Sequence, residues 1–381
     1  MRERIGWCFP PTSGGRVDRF NDPGIAHFDG NPLVSLARET IQNSLDATAG
    51  SGPVEMSFEI EEIARRDALG RDELAAAIEA CLEEIGDDDD KARAMLSRAS
   101  ELLQRDRLPY LRVSDRNTTG LRHGHWKALV KWQGASVKEK RSAGGSHGIG
   151  KYAPFAVSPL RTVFYWTRFE QDDEPRELFQ GKAVLMSHVE PGSDGTETQG
   201  TGFFGIVDRC RELSDESIPE RIQHAERGAG RGNGTSLWIA GFPTAGDWQG
   251  RIARSVIANF FYAIEHKMLS VVIEPNGPMR NLDLVRLDKS TLLEWFDFLM
   301  PDTALGQPRT IEDDAIAEAY QFWDVIRSSA PTAEKEDADL GHCQLWVRVS
   351  EGLPSKVGFV RRTGMLITTP LVSQETRDGH P

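Results

Sequence analysis

Three polar residues near the start of the chain have the chemistry of a hydrolytic site. Glu39, Asn43 and Asp46 are spaced four and three residues apart, so on a helix they share one face. There Glu39 can take a proton from water, and the amide oxygen of Asn43 can bind a hard cation such as Mg²⁺. The alternative is a solvent-facing row of ordinary polar residues.

A further carboxylate follows a predicted strand. Residues 110–113 favour a short strand, and Asp115 then begins the segment D-R-N-T-T-G-L. A carboxylate at the carboxyl end of a strand can accept a hydrogen bond, for example from an amino group on a nucleotide base. The alternative is an Asp that only forms the turn.

A glycine-rich segment, GGSHGIGK at residues 144–151, has the spacing of a phosphate-binding loop. Gly145, Gly148 and Gly150 give G-x-x-G-x-G, and glycines let the backbone approach phosphate oxygens at the start of a helix. The segment is flanked by four basic residues, Lys138, Lys140, Arg141 and Lys151. It is not a Walker A loop, because Tyr152 stands where that motif has Ser or Thr. A glycine motif is weak evidence when it stands alone.

A fourth segment, G-T-S-L at residues 234–237, is by itself only the start of an apolar strand. The four segments have the patterns E-x-x-x-N-S-x-D-A, D-x-x-x-x-G, G-x-x-G-x-G and G-T-S-hydrophobic. Taken in their order along the chain, however, they resemble the GHKL ATPase superfamily. That group includes gyrase B subunits, large heat-shock chaperones, MutL, MORC proteins and histidine kinases. The resemblance covers residues 1–269 and implies the Bergerat fold, an α+β sandwich with a mixed, mainly antiparallel sheet.

The resemblance implies a role for each matching residue. Glu39 would be the general base for the attacking water, Asn43 the Mg²⁺ ligand and Asp46 a neighbour of the ribose and base. Asp115, supported by Thr235, would bind the adenine amino group. The turn beside the base would comprise Asn117, Thr119, Gly120 and Leu121. The phosphates would be held by Ser136, Lys138, Gly145, Ser146, His147, Gly148, Ile149, Gly150 and Lys151.

The second motif departs from the family pattern, which is usually D-x-G-x-G. Here Asn117 replaces the first glycine, and Gly120 comes one residue late. Asn adopts left-handed backbone angles more readily than most residues. We therefore expect the turn to be kept, with altered contacts.

The elements that must position these motifs follow from hydrophobic periodicity. Asn31-Pro32 predicts the start of a helix that runs to about Ala49, and residues 249–268 predict a second, amphipathic helix. Strands are predicted near residues 54–60, 110–113, 160–169, 178–189, 201–208 and 235–241. Residues 1–30 predict an extended strap, and residues 121–151 would be the ATP lid.

Residues 61–109 stand apart as an acidic insertion, with 14 acidic and 8 basic residues. Their apolar residues recur at helical spacing, which predicts an exposed helical hairpin. Two interpretations stay open for its charge, a solvated face or an acidic docking site for partner proteins.

After Leu269 the pattern predicts a second unit, residues 270–370, followed by a flexible tail at 371–381. It would contain strands at 271–274, 343–349 and 357–360, helices near 290–299 and 311–328, and a polar linker at 329–341. The resemblance makes this unit a ribosomal-protein-like α/β transducer domain, possibly cut short, that supplies a basic residue to the γ-phosphate. Lys356 is the candidate, with Arg361 and Arg362 behind it, and an exposed loop lysine is the alternative.

The 381-residue chain has a formal net charge of −13, which argues against a surface that binds nucleic acid or anionic membranes as a whole. The lid is locally basic, with seven Lys or Arg and one Glu. The four cysteines form no C-x-x-C pair, so neither a disulfide framework nor a zinc site is expected. With no signal peptide or membrane span apparent, a reducing, cytoplasmic location is predicted.

The resemblance implies slow hydrolysis of ATP with Mg²⁺, by an ATPase most similar to prokaryotic MORC-like and MutL-like ATPases of bacterial anti-phage and restriction systems. The strap favours nucleotide-dependent homodimerisation, as in relatives that exchange such segments. An ATP-gated clamp on DNA or on other defence-system proteins, a chaperone-like ATPase and a protein-binding module are the alternatives.

Overall fold

The computed structural model describes residues 3–15, 17–50, 52–86, 89–132, 149–226, 232–274, 286–300, 310–351 and 355–369. Its strands are β1 Ile5–Cys8, β2 Val54–Ala64, β3 Arg107–Arg116, β4 Thr162–Gln171, β5 Glu174–Val184, β6 Thr201–Ile206, β7 Leu213–Ser214, β8 Gly234–Ala240, β9 Leu269–Ile273, β10 Arg286–Leu287, β11 Ala333–Asp337, β12 Gly341–Leu345, β13 Phe359–Val360 and β14 Leu366–Thr368. Its helices are α1 Pro23–Ala26, α2 Pro32–Asp46, α3 Arg71–Glu84, α4 Asp90–Leu103, α5 His123–Val130, α6 Ala153–Ala156, α7 Glu220–Glu226, α8 Trp248–Glu265, α9 Leu292–Leu299 and α10 Ile311–Ser328.

One large mixed sheet organises the molecule, in the order β1-β6-β5-β4-β8-β3-β2-β9-β10, with β7 beside β5. Among the described strands only β2 and β9 pair in parallel, with Val54 opposite Leu269. The predicted fold class, α+β with a mixed and mainly antiparallel sheet, is confirmed at this level.

The first face of the sheet is covered by α2 and α8. Pro32 occupies the first turn of α2, where its missing N–H costs nothing, and Leu36, Ile41 and Leu45 are buried. In α8 thirteen of the eighteen residues are buried, because this helix contacts α2 and α10 as well as the sheet. Both helices were predicted, and both end a few residues earlier than expected.

The second face is covered by α3 and α4, the acidic hairpin. Ile78 and Cys81 of α3 and Leu96 and Leu103 of α4 are at most 1% exposed, in one core with Phe179 of the sheet. The predicted helical hairpin is therefore present, but one of its faces is buried, because helical spacing identifies an apolar stripe and not the surface that buries it. The insertion lies between two strands that extend to Ala64 and resume at Arg107.

The residues after Leu269 share the core of the large sheet. β9 is a strand of that sheet, and Trp295, Phe296 and Trp323 of α9 and α10 belong to the core that contains α8. The Trp323 indole N–H donates to Glu265 of α8 at 2.7 Å. The predicted boundary at 269/270 falls inside β9, and part of the predicted polar linker is the hairpin strand β11.

The predicted strap contains β1, which pairs antiparallel with β6 of the same chain. Cys8 at the end of β1 forms a disulfide with Cys210, which follows β6. The expectation that no disulfide is supported is therefore corrected, because a sequence separation of 202 conceals the approach that β1–β6 pairing creates. The cytoplasmic location stays a prediction. None of the helices in the described ranges is long and apolar enough to cross a membrane.

Candidate functional site

The Asp115 carboxylate joins three of the motifs identified in the sequence. It accepts hydrogen bonds from the Ser44 hydroxyl of α2 at 2.9 Å and from the Thr118 hydroxyl at 2.6 Å. The backbone N–H of Thr235, in β8, donates to it at 3.0 Å. Burial raises the pKa of Asp115, and these three donors oppose that rise. The structure therefore brings Asp115 and Thr235 together, as predicted.

The turn after Asp115 keeps its backbone path despite the missing glycine. Asn117 has a φ of +61°, and its side-chain amide donates to Pro53 O at 2.8 Å, so the expectation for this residue is confirmed. Gly120 has a φ of +64°, and a Cβ there would lie 2.0 Å from the carbonyl oxygen of Arg168. Thr119 is exposed, and Leu121 donates its N–H to the Thr167 hydroxyl at 2.8 Å.

The polar residues predicted on one face of α2 differ in their exposure to solvent. Asn43 and Asp46 are exposed, while Glu39 is half-buried. Burial raises the pKa of Glu39, although the positive charges of Arg38 and Arg361 and the ring of His27 act to lower it. A Cβ on Gly150 would lie 2.0 Å from Glu39 Oε2, so the backbone at the end of the glycine-rich segment lies against this carboxylate.

The rest of the predicted phosphate-binding set is only partly described. Ser136, Lys138, Gly145, Ser146, His147 and Gly148 lie outside the described residues. Ile149 is exposed and precedes the short 3₁₀ turn Gly150–Tyr152. Lys151 is buried, and its ammonium donates to Ala128 O at 3.3 Å and to Trp132 O at the end of α5. In this conformation Lys151 therefore stabilises the C-terminal end of a helix.

Lys356, the basic residue predicted to reach the γ-phosphate, has a carboxylate partner of its own in this conformation. The Lys356 ammonium forms an ion pair with Glu318 of α10. Arg361, half-buried between β13 and β14, is instead the residue of this region whose charge acts on Glu39. Met365 and Gly364, which follow it, are buried, and Gly364 lies against Ala263 of α8.

The residues present suit a magnesium ion bound mainly by a substrate. In the described part of the chain no group of three or more His, Cys, Asp or Glu side chains could hold a metal. The exposed amide of Asn43 offers one oxygen, and Mg²⁺ commonly takes one or two protein ligands, with phosphate oxygens and water completing its shell. Asn43 is therefore the residue of the predicted set that could contribute a neutral oxygen to such an ion.

Sequence reasoning missed three supporting residues of this site. Ser44 was part of the first motif, where its position between Asn43 and Asp46 was the available signal. Thr118 lies three residues after Asp115, the spacing of a side-chain turn. Thr167 could be identified only from the strand register, which places it opposite Thr235.

Comparison with known proteins adds no relative to this description. No protein-family model matches the chain, and a search of curated proteins finds no match. The interpretation of the site therefore rests on its own geometry and on the order of its motifs.

Proposed function

We propose that the protein is a Mg²⁺-dependent ATPase of the GHKL type. The observation that carries the proposal is the cluster around Asp115, because Ser44, Thr118 and Thr235 come from three motifs that resemble that superfamily in sequence order. A carboxylate has about four acceptor positions, so three donors leave one position for the amino group of adenine.

The length of α2 suits a nucleotide that extends from Asp115 towards Glu39. At 1.5 Å per residue, Glu39 and Asp46 are separated by roughly 10 Å along the helix axis, comparable to a ribose with its triphosphate. The Asn43 oxygen lies between them on the same face, where it would ligate Mg²⁺. The bound ion would neutralise charge on the phosphate oxygens.

Glu39 is placed to activate water at the far end of this path. Its raised pKa makes the carboxylate a better proton acceptor than an exposed Glu. In the proposed step the water oxygen bonds to the γ-phosphorus, the bond to the ADP oxygen breaks, and the water proton passes to Glu39. Arg361 is the candidate to stabilise negative charge near Glu39, in place of Lys356.

Steady-state phosphate release tests the assignment of the base. Glu39→Gln removes the proton acceptor but keeps the shape, so we expect kcat to fall by about 10²–10⁴-fold while ATP still binds. Glu101→Gln, on the exposed side of α4, is the matched control and should leave the rate unchanged. Equal rates for Glu39→Gln and the unmodified protein would falsify the assignment.

The remaining expectations stay predictions of the resemblance. They comprise nucleotide-dependent dimerisation, binding of DNA or other proteins and a role in bacterial defence. The pairing of β1 with β6 of its own chain gives no support for exchange of the strap in this conformation.

A further inference from the structure

Three lysines from separate elements converge on the first face of the sheet. Lys182 lies in β5, opposite Val163 of β4 and Phe203 of β6. Lys131, just after α5, places its ammonium 4.0 Å from the centre of the Phe203 ring. Lys151, in the 3₁₀ turn, is close enough to Lys182 to lower its pKa, as Lys131 also does. We call these three residues the lysine cluster.

The lysine cluster has no carboxylate partner within ion-pair distance among the described residues. Lys182 is 3% exposed, and the contact recorded for its ammonium is the face of the Phe155 ring at 5.9 Å. Lys131 and Lys151 donate to backbone carbonyls. The acids that act on the cluster from a distance are Asp22 and Glu212. The Asp22 carboxylate is already bonded to two N–H groups at the start of α1.

A neutral hydrogen-bonding pair lies beside these charges on the same face. Tyr165 of β4 is opposite Gln180 of β5, two residues from Lys182 along the strand. The Tyr165 hydroxyl is completely buried, and within the described ranges neither it nor the Gln180 carbonyl oxygen has a hydrogen-bond partner. The Gln180 amide N–H donates at 2.9 Å to the Cys210 carbonyl, the same oxygen that Lys131 contacts. Buried polar groups without partners are rare in folded proteins, and each one calls for an explanation.

We propose that the lysine cluster, together with the Tyr165 hydroxyl, binds an oxyanion of the phosphate class. Such a ligand supplies the negative charge that the face lacks and accepts hydrogen bonds from ammonium and hydroxyl groups at once. Burying a charge without a counter-charge is costly, so anion binding relieves a cost present in the empty protein. The inference shares Lys151 with the proposed nucleotide site but does not require that ATP is the substrate.

Thermal unfolding of the full chain in potassium phosphate, compared with potassium chloride of equal ionic strength, tests the proposal. We expect phosphate to raise the midpoint of the unmodified protein by about 2–4 °C more than that of Lys182→Met. Lys91→Met, which changes an exposed lysine of α4, is the matched control and should keep the full rise. Comparing variants at one phosphate concentration removes the general stabilisation that phosphate gives by exclusion from protein surfaces.

Asp115→Asn separates this proposal from the proposed ATPase. That variant should lose any response to a non-hydrolysable ATP analogue and keep the response to inorganic phosphate. If only the ATP analogue raises the unfolding midpoint, and Lys182→Met removes that rise, the proposal is also supported. The anion is then a phosphoryl group of the nucleotide. Equal responses of Lys182→Met and the unmodified protein to both ligands overturn it, as does the absence of any response. If Lys182→Met does not fold, the same unfolding midpoints are compared between Lys131→Met and the unmodified protein.

Discussion

Two buried cations occupy opposite faces of the same sheet, in contrasting surroundings. Arg112 of β3 lies on the face covered by the acidic hairpin, with Glu59, Glu61 and Glu226 at 2.5, 3.3 and 3.9 Å. Lys182 of β5, on the other face, has no such partner among the described residues. Burial acts to lower the pKa of both side chains.

The net shift of the side-chain pKa is opposite at the two positions. The surrounding carboxylates, Glu59 foremost, raise the pKa of Arg112 above its ordinary value. Burial, assisted by two neighbouring lysines, lowers the pKa of Lys182 to about 7. Glu226 also accepts hydrogen bonds from the Ser236 hydroxyl and from the Trp238 indole, so Arg112 belongs to a network of buried polar groups. A buried cation paired with carboxylates thus contrasts with one for which we propose an anionic ligand.

Removing Arg112 should produce the largest effect. Arg112→Met removes the cation that forms ion pairs with Glu59, Glu61 and the buried Glu226, which is 1% exposed, so we expect a loss of about 3–5 kcal/mol in the free energy of unfolding. Denaturant titration measures it, with Arg98→Met on the exposed side of α4 as the control. If the two variants lose equal amounts, the network does not contribute as described.

Removing Lys182 should stabilise the protein, whereas removing Arg112 should destabilise it. In phosphate-free buffer at pH 7, Lys182→Met should raise the free energy of unfolding by about 1–3 kcal/mol, because it removes a buried charge without a partner.

The pH dependence of that gain is a direct check. Between pH 7 and 10.5 the unfolded chain holds more protons at Lys182 than the folded chain, so the unmodified protein gains stability there as pH rises. The advantage of Lys182→Met should therefore be complete below pH 7 and shrink towards pH 10. A constant advantage across this range would show that Lys182 does not titrate as expected.

The smallest effect should come from the outer carboxylate of the Arg112 network. Glu61 is 29% exposed at its side chain, and Arg112 keeps Glu59 and Glu226 when Glu61 is changed. We expect Glu61→Gln to cost less than about 1 kcal/mol, as measured by the same titration. A cost close to that of Arg112→Met would mean that the three carboxylates act as one unit.

Local patterns predicted the parts of the site that depend on one helix or one turn. The shared face of Glu39 and Asn43 follows from the helical repeat, and the tolerance of Asn117 for a left-handed angle follows from its side chain. Partners that meet through the sheet, such as Cys8 with Cys210, could not be read from the sequence. Their distance in space depends on strand order, which residue type does not encode.

The same reason explains why Lys182 was overlooked. The signal was present, since the strand predicted at residues 178–189 contains this lysine, which lies in the buried part of β5. Its importance depends on Lys131 and Lys151, which the fold brings to it from 51 and 31 positions away in the sequence. The parallel pairing of β9 with β2 escaped prediction for the same reason.

That strand order also has a consequence for how the chain folds. β1 pairs with residues about 200 positions later, and β2 pairs with residues about 215 positions later. Closing such long loops loses chain entropy before the contacts compensate, which is the situation in which folding is slow. During synthesis the edge of β2 that pairs with β9 stays unpaired until residue 273 has left the ribosome. An unpaired strand edge is prone to aggregation, so we expect a chaperone to protect this edge.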